Sequence, residues 1–508
     1  MITRILLISL VLLSSLAWAR VEFEITPFSA QDFRDAQRLA ELCAQDATSF
    51  WCLQQGAELT LLTTKGYDAV FNAAGEIVAL FAKGLQRGQD FGGAYYLDGH
   101  VNLIPMRAVL PGLALLINEE YLVPEQPTGA WQRLDENTYR GVFSYRLGDY
   151  LVEREVRVYA NRIAMDLSLT VRYQGEEPRE APVQLAVAVP GIAREAAPVI
   201  KIGQAGSFWA NPLPQPIVNP DYISFQSNDH NTGYALILRP ALGLAGELAA
   251  LSLPPGRIAM TRTLPPEAEA ARFELQFYGG PNELIRFHQE GLLALPGLFR
   301  PNLMGQLSLG IVWVLEAIHQ VVGGWGLSII VLTLLFRVLV WPLITVQTRS
   351  MVGMQQLQPK LQALQKKYKD NREKLTQETM KLYQEAGVNP AAGCLPIFLQ
   401  MPIFIILWRI FTNFEFGEGF LWIPDLGLPD PFFILPILYV GVMVGQAYIM
   451  AKDNPQSFRM QLMISLVFVF FIFAFPAGVT LYWVVSMLVQ VGQHYLIQRS
   501  VAAQAAAT

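Results

Sequence analysis

The 508-residue sequence is poor in charge, since only 16% of its residues are Asp, Glu, Lys or Arg. An average soluble protein contains about 25% of these residues, so the composition disfavours both a disordered chain and a wholly soluble one. The formal net charge of −5 also leaves no strongly basic domain. A nucleic acid is therefore not expected as a partner.

Residues that usually carry chemistry are scarce as well. The chain has three cysteines and five histidines, and they form no zinc spacing and no dense disulfide framework. We therefore expect no metal, no cofactor, no catalytic residues and no enzyme activity. Cys43 and Cys52 are compatible with a disulfide in an oxidising compartment and equally with two small buried side chains.

The first twenty residues predict export. One basic residue, Arg4, precedes the apolar run 5–18, and Ala17-Trp18-Ala19 has the small-x-small form of a signal-peptidase site. The run is shorter than the ~20 residues that cross a ~30 Å hydrocarbon core. Residues 1–20 are thus a signal peptide or a transmembrane anchor, and both alternatives place the following segment outside the cytoplasm.

Residues 21–300 predict a separate, acidic all-β domain. They carry 22 Lys and Arg against 32 Asp and Glu. Polar and apolar residues alternate over 138–146, 149–159 and 165–173, which is the period of strands with one buried face. Many such runs predict one large exported β-sandwich. We expect a scaffold or docking surface, and a sugar-binding cleft or a tethered carbohydrate-processing enzyme is the less favoured alternative.

From residue 301 onward the sequence becomes apolar. Residues 301–322 predict an interfacial amphipathic helix, because their helical apolar spacing is interrupted by Glu316 and His319. A five-helix membrane core follows over 323–498, and 499–508 form a short cytoplasmic tail. The five predicted spans are 323–344, 395–411, 432–450, 460–475 and 479–497.

The loop between the first two spans fixes the predicted orientation. It carries eight Lys and Arg against four Asp and Glu over 349–385, and the positive-inside rule places such a loop in the cytoplasm. Apolar stripes on both sides of Asp370-Asn371 predict a helical hairpin over 349–386. Its basic faces suit anionic lipid or a ribosome, or they are simply solvated.

Arg337 needs a functional explanation, because it lies inside the first predicted span. A charged side chain at such depth costs at least about 2.5–3.5 kcal/mol, and none of the five spans contains Asp or Glu to pair with it. Thr333 lies one turn earlier on the same helical face. We therefore expect Arg337 to face a hydrated cavity. The alternative is an arginine that snorkels to the membrane surface.

Several motifs follow one another through the membrane half and together identify a family. They closely resemble those of the YidC/Oxa-type membrane protein insertases, and the preceding β domain resembles the Gram-negative YidC form. The motifs are Gly324-Trp325-Gly326, Thr333-x-x-x-Arg337-x-x-x-Trp341-Pro342, Leu357-Gln358-Pro359-Lys360-Leu361, Asn389-Pro390-x-x-Gly393-Cys394-Leu395-Pro396, Gln400-Met401-Pro402 and Phe475-Pro476-Ala477-Gly478-x-x-Leu481-Tyr482-Trp483.

The resemblance implies a multi-pass protein of the bacterial inner membrane, with its large domain in the periplasm. Such a protein inserts nascent membrane proteins and helps them fold, alone or with the Sec translocase. The lipid bilayer would be a further partner, and the basic hairpin a contact for the ribosome. A secondary transporter or channel with Arg337 as an anion site is the alternative, but it would require repeated spans that the sequence does not show.

The resemblance also implies two groups of site residues. Arg337 and Thr333 would line a hydrophilic groove open to the cytoplasm and lipid and closed on the outer side. An apolar substrate-slide surface would guide the incoming transmembrane segment. The residues that match its positions are Met401, Phe404, Leu407, Tyr482 and Trp483.

Overall fold

In the computed structural model the chain divides between Pro301 and Asn302 into two units, one residue from the boundary predicted at 300. The predicted segment 1–20 and most of the predicted fourth span lie outside the described residues. Cys43 is disulfide-bonded, but Cys52 is not described, so their pairing stays a prediction. The described residues are 23–29, 43–44, 57–64, 66–82, 96–97, 100–104, 110–189, 199–204, 207–210, 216–226, 233–241, 248–253, 257–369, 371–386, 395–451 and 472–507.

The first unit consists mainly of antiparallel β-strands. Its strands are β1 (Glu24–Phe28), β2 (Leu59–Thr63), β3 (Tyr67–Phe71), β4 (Ile77–Ala82), β5 (Tyr96–Leu97), β6 (His100–Asn102), β7 (Ala114–Ile117), β8 (Glu120–Tyr121), β9 (Glu125–Asp135), β10 (Thr138–Leu147), β11 (Tyr150–Tyr159), β12 (Met165–Tyr173), β13 (Val183–Val189), β14 (Val199–Gln204), β15 (Ser207–Ala210), β16 (Ile217–Val218), β17 (Tyr222–Gln226), β18 (Tyr234–Pro240), β19 (Ala249–Leu253), β20 (Arg257–Leu264) and β21 (Ala270–Pro281).

The described strands form three sheets. The largest has nine strands in the order β15-β14-β17-β18-β21-β12-β11-β10-β9. One six-stranded sheet has the order β1-β2-β3-β4-β6-β5, and the other has the order β16-β19-β20-β13-β7-β8. The predicted β-rich domain is therefore confirmed, but its described part contains three sheets, where a simple sandwich has two.

The clearest alternation in the sequence lies at the centre of the nine-stranded sheet. Strand β12 begins at Met165 and ends at Tyr173, as predicted. Its residues Met165, Leu167, Leu169 and Val171 are buried in the main core of the unit, because side chains two residues apart point to the same face of a strand. The short connection after residue 159 joins β11 and β12 as an antiparallel pair.

A buried charge joins the three sheets. Arg154 on β11 is 0% exposed and lies 3.7 Å from the carboxylate of Glu76, which follows the β3–β4 turn. Its guanidinium also donates to the carbonyl oxygens of Gly75, at 3.1 Å, and of Leu113 beside β7, at 3.0 Å. Since these partners come from different sheets, the arginine connects the sheets.

A short helix, α1 (Leu284–Gln289), follows the last strand of the unit. It was not predicted, because six residues are too few for a helical period to emerge. After it the chain is fastened to the sheet. Glu290 accepts a hydrogen bond from the backbone N–H of Ile163 at 2.7 Å, and the Lys201 ammonium donates to the carbonyl oxygens of Gly297 and Leu298 at 3.2 Å.

The second unit is helical. Helix α2 and the first 22 residues of helix α3 are long and apolar enough to cross a membrane. Helix α2 was predicted as an interfacial helix, and its length and composition also suit a span. Helix α3 continues past the predicted end of its span, and α8 continues through the predicted tail. The helices are α2 (Leu303–Val322), α3 (Trp325–Gln356), α4 (Gln358–Lys367), α5 (Arg372–Glu385), α6 (Leu395–Asn413), α7 (Ile434–Ala451) and α8 (Ala477–Ala507).

Helices α4 and α5 occupy the segment predicted as a cytoplasmic hairpin. They contact each other, and between them the backbone N–H of Asn371 donates to the carbonyl oxygen of Tyr368 at 3.0 Å. Asp370 of the predicted turn lies outside the described residues. Asn371 caps α5, since its side chain accepts a hydrogen bond from the backbone N–H of Lys374 at 3.0 Å. The cavity between the two helices is lined mainly by charged side chains, among them Lys360, Lys367 and Lys381.

Candidate functional site

Arg337 lies on the buried face of α3. Ser328, Ile329 and Thr333 follow the same face and are also buried. The Thr333 hydroxyl donates to the carbonyl oxygen of Ile329 at 2.6 Å, so the helix itself satisfies it. Arg337 is different, because it is 8% exposed and its Nε finds no hydrogen-bond partner among the described residues. It therefore offers a buried, charged donor to a ligand.

Helix α8 packs along α3 and presents a polar stripe to it. Tyr482 lies close enough to Arg337 for an electrostatic interaction, and its hydroxyl accepts a hydrogen bond from the Gln400 amide of α6 at 3.3 Å. The Gln493 side chain donates to the Trp341 carbonyl at 3.2 Å and to the Thr345 hydroxyl at 3.1 Å. These bonds fasten α8 to α3. We call this set of buried polar side chains, Thr333, Arg337, Tyr482, Ser486 and Gln493, the α3–α8 groove, after the groove that the sequence resemblance implies.

Ser486, Gln493 and the neighbouring His494 were not predicted as site residues, although all three are buried. Their signal was present in the sequence. Ser486 and Gln493 follow Tyr482 by four and eleven residues, which places them on one face of a helix. A polar stripe along an otherwise apolar span is the pattern that marks an inward-facing surface.

Four of the helices at this groove carry positive charge without negative charge over their described bounds, whereas α2, which also packs on α3, carries Glu316. Helices α3, α6, α7 and α8 contain no Asp or Glu over their described bounds, so their fixed charges are cationic. In a low-dielectric region this arrangement attracts a carboxylate strongly. The charged residues of the four helices are Arg337, Arg349, Arg409 and Arg499, with His494 as a titratable group.

The residues predicted for the substrate-slide surface divide into two groups. Met401 is 47% exposed on α6, and Phe404 and Trp483 are half-buried with 5.2 Å between their ring centroids. Leu407 and Tyr482 are buried. The structure therefore brings Phe404 of α6 and Trp483 of α8 together, while in this conformation Leu407 belongs to the packed interior and Tyr482 to the α3–α8 groove.

Aromatic rings extend this apolar surface. Phe404 lies 5.9 Å from both Trp408 and Phe475, and Trp483 lies 5.7 Å from Tyr439 of α7, measured between ring centroids. Rings at these distances and tilts pack favourably. The result is a continuous aromatic contact among α6, α7 and α8.

The segment between α6 and α7, residues 414–433, contacts the first turns of α3 and α8. The backbone N–H groups of Ala477 and Gly478 donate to the carbonyl oxygens of Leu428 and Leu426, at 2.7 and 2.8 Å. These bonds satisfy N–H groups that the first turn of α8 would otherwise leave open. The ring of Phe420 packs so closely on Gly326 of α3 that a Cβ there would clash with it.

No group of three or more His, Cys, Asp or Glu side chains is placed to hold a metal ion within the described part of the chain. The candidate site is instead a charged, partly apolar surface between helices. Such a surface can bind a polypeptide segment that is polar at one end and apolar at the other.

Three comparisons relate the chain to known proteins. A family model described as 60Kd inner membrane protein matches residues 317–504. Membrane protein insertase YidC of Deinococcus radiodurans is 37% identical over 385 residues, covering 74% of this chain and 86% of the relative. The YidC protein of Ectopseudomonas mendocina is 41% identical over 203 residues, covering 39% of this chain and 35% of that protein.

A solved structure has the same fold. The crystal structure of an active YidC insertase with its first transmembrane domain resolved superposes with a TM-score of 0.54 at 20% identity, over 85% of this chain and 91% of that one. The likeness therefore covers both the β-rich unit and the helical unit. Together with the Deinococcus relative, it shows that the chain belongs to the family of YidC membrane protein insertases.

Proposed function

We propose that the protein inserts membrane proteins into the bacterial inner membrane and helps them fold, and that clients enter through the α3–α8 groove. The observation that carries the proposal is the state of Arg337. Its guanidinium is buried, its Nε has no partner among the described residues, and α3, α6, α7 and α8 contain no Asp or Glu over their described bounds. Membership of the insertase family supports this use over an anion transporter.

The first step of the proposed route is electrostatic. An acidic polar tail of the client is attracted to Arg337, and its carboxylate accepts a hydrogen bond from the guanidinium. The tail then leaves water part of the way across the membrane. Because the groove is less polar than water, each charge contact is stronger there than it would be in solution.

The second step uses the apolar surface. Met401, Phe404 and Trp483 contact the client's hydrophobic segment as it moves from the groove into lipid, and Leu407 and Tyr482 lie buried on the same two helices. Burial of apolar area stabilises the inserted state by about 25 cal/mol for each Å² removed from water. The partition of the segment into lipid therefore supplies the driving force without a nucleotide.

The proposed topology follows the predicted one. Residues 1–20 form an anchor or a signal peptide, 21–300 lie in the periplasm, and five spans surround the groove. The basic α4–α5 hairpin lies in the cytoplasm, where Lys360, Lys367 and Lys381 can contact a ribosome or anionic lipid. The Sec translocase is a further proposed partner.

The test is insertion into liposomes that contain only the purified protein. Two single-span clients differ only in the sign of the charge on their short tails, and protection of the tail from protease reports its translocation. Wild type should protect the acidic-tailed client more than empty liposomes do. Arg337→Glu should reverse the preference between the two clients, because attraction becomes repulsion.

Arg499→Ala is the matched control. Arg499 lies on exposed surface of α8 and packs over the ring of Tyr495, so its loss should leave the client preference unchanged. Each variant is first checked for a wild-type thermal unfolding midpoint. A wild-type protein that protects neither client above the empty-liposome level, alone or reconstituted with the Sec translocase, would refute the proposed insertion activity.

A further inference from the structure

Two side chains of α8 each bury one polar atom that finds no hydrogen-bond partner among the described residues. His494 is 6% exposed, and its Nε2 finds no partner among the described residues. The Oγ of Ser486 is in the same state. The two residues are eight positions apart, so they lie on one side of the helix at a separation of about 12 Å along its axis.

Such atoms need an explanation. A buried polar atom left unsatisfied costs about 1–3 kcal/mol, and buried polar groups in native proteins are usually paired. Here three unpaired polar atoms, Arg337 Nε, Ser486 Oγ and His494 Nε2, occur on two helices that pack together. A polar polypeptide segment that lies along α8 would satisfy all three.

We propose that Ser486 and His494 are further client-binding residues, and that His494 is a titratable contact that selects acidic tails when it is protonated. The inference rests on the proposed function and adds a specificity determinant to the same route. Histidine is the side chain whose charge ordinarily changes between pH 5 and 8. A protonated imidazole donates from both ring nitrogens, whereas a neutral one donates from one and accepts at the other.

The helices packed around α8 carry cations and tyrosines but no carboxylate over their described bounds, so no fixed acid holds the imidazole in its charged form. A bound acidic tail would supply that carboxylate. The charged and titratable residues of these helices are Arg337 and Arg349 on α3, Arg409 on α6, Tyr439 and Tyr448 on α7, and Tyr482, Tyr495 and Arg499 on α8.

The first test compares insertion at about pH 5.5 and about pH 8, a range that covers most of the pH interval in which histidine changes charge and in which client carboxylates stay ionised. Two clients differ only in having an acidic or a neutral tail. In wild type the preference for the acidic tail should rise about threefold on acidification, the effect of a modest ion pair. In His494→Gln the preference should not change with pH, while insertion of the neutral tail continues.

His319→Gln is the matched control, since His319 is the other histidine of the helical unit and lies on α2. It should retain the wild-type pH response. If His494→Gln retains that response too, the inference is wrong and the proposed function stands. If wild type inserts neither client, the proposed function fails, and the second test still decides the contact.

The second test is disulfide cross-linking in cell membranes, with one cysteine in the client tail and one in the insertase. Variants Ser486→Cys and His494→Cys should cross-link to the tail of an arrested client. Leu488→Cys should not, because Leu488 is an exposed side chain of the same helix. Equal cross-linking at all three positions, or none at 486 and 494, would overturn the inference.

Discussion

The imidazole of His319 lies parallel to the indole of Trp325, with 3.8 Å between ring centroids and 3° between ring planes. His319 belongs to the last turn of α2, and Trp325 begins α3. The carboxylate of Glu418 accepts a hydrogen bond from the backbone N–H of Trp325 at 3.2 Å. The stack therefore joins α2 to α3, and the hydrogen bond joins α3 to the segment between α6 and α7.

Loss of the Trp325 ring should loosen this junction. The ring also packs edge-on against Phe414 at 4.9 Å and Phe416 at 5.9 Å between centroids. Removal of a packed tryptophan ring costs about 3–5 kcal/mol, so Trp325→Ala should lower the thermal unfolding midpoint in detergent. Trp313→Ala is the control, because Trp313 on α2 is 68% exposed. Equal shifts for the two variants would contradict this role.

Asp430 should be a second stabilising point of the same segment. Its carboxylate is buried and accepts hydrogen bonds from the Trp422 indole at 3.1 Å and from the backbone N–H groups of Phe432 and Leu435 at 3.0 and 2.7 Å. Asp430→Ala leaves these donors without their acceptor, which should lower the free energy of unfolding by at least about 2 kcal/mol.

The effect of Asp430→Ala is measured by urea unfolding of the full-length protein in detergent. The readout is the protease resistance of residues 414–433. Asp430→Asn is the conservative comparison, because it keeps one side-chain oxygen as an acceptor. It should lose less stability than the alanine variant. If both substitutions leave the segment as resistant to protease as wild type, the carboxylate does not hold it.

The sequence predicted the elements whose pattern is local. The alternation over 165–173 marked β12 and its buried face, because a strand exposes every second side chain to one side. The charge of Arg337 likewise stood out in an apolar run, and the structure places it on the buried face of α3. In both cases one stretch of chain carries the whole signal.

Features that depend on distant segments were not predicted. Arg154 occupies an inward position of β11 between Val152 and Val156, but its partners Gly75 and Leu113 are far away in sequence. The face of α8 that carries Ser486 was missed as well, although its polar residues recur at helical spacing. Because a membrane span is apolar all round, its hydrophobic period does not identify the side that meets another helix.

Glu76 gives the β-rich unit a predictable response to pH. Burial raises the pKa of its carboxyl, and this effect outweighs the opposing influence of Arg154 and the hydrogen bonds from Asn72 and Tyr121. The folded state therefore holds the proton more tightly than the unfolded state does. By linkage, the contribution of Glu76 to the free energy of unfolding is largest below its ordinary pKa of 4.5 and falls as the pH rises through the raised value.

Glu76→Gln should remove this decline, because glutamine does not ionise but keeps an oxygen that can accept from Tyr121. We expect the stability advantage of wild type over the variant to shrink as the pH rises from the ordinary pKa of a glutamate. This difference in the free energy of unfolding is measured by pulse proteolysis in urea at several pH values. The full-length protein is used, and cleavage within the β-rich unit is the readout. Glu153→Gln is the control, since Glu153 is exposed on the surface of β11. A wild-type advantage that grows with pH would show that the pair with Arg154, and not burial, dominates the ionisation of Glu76.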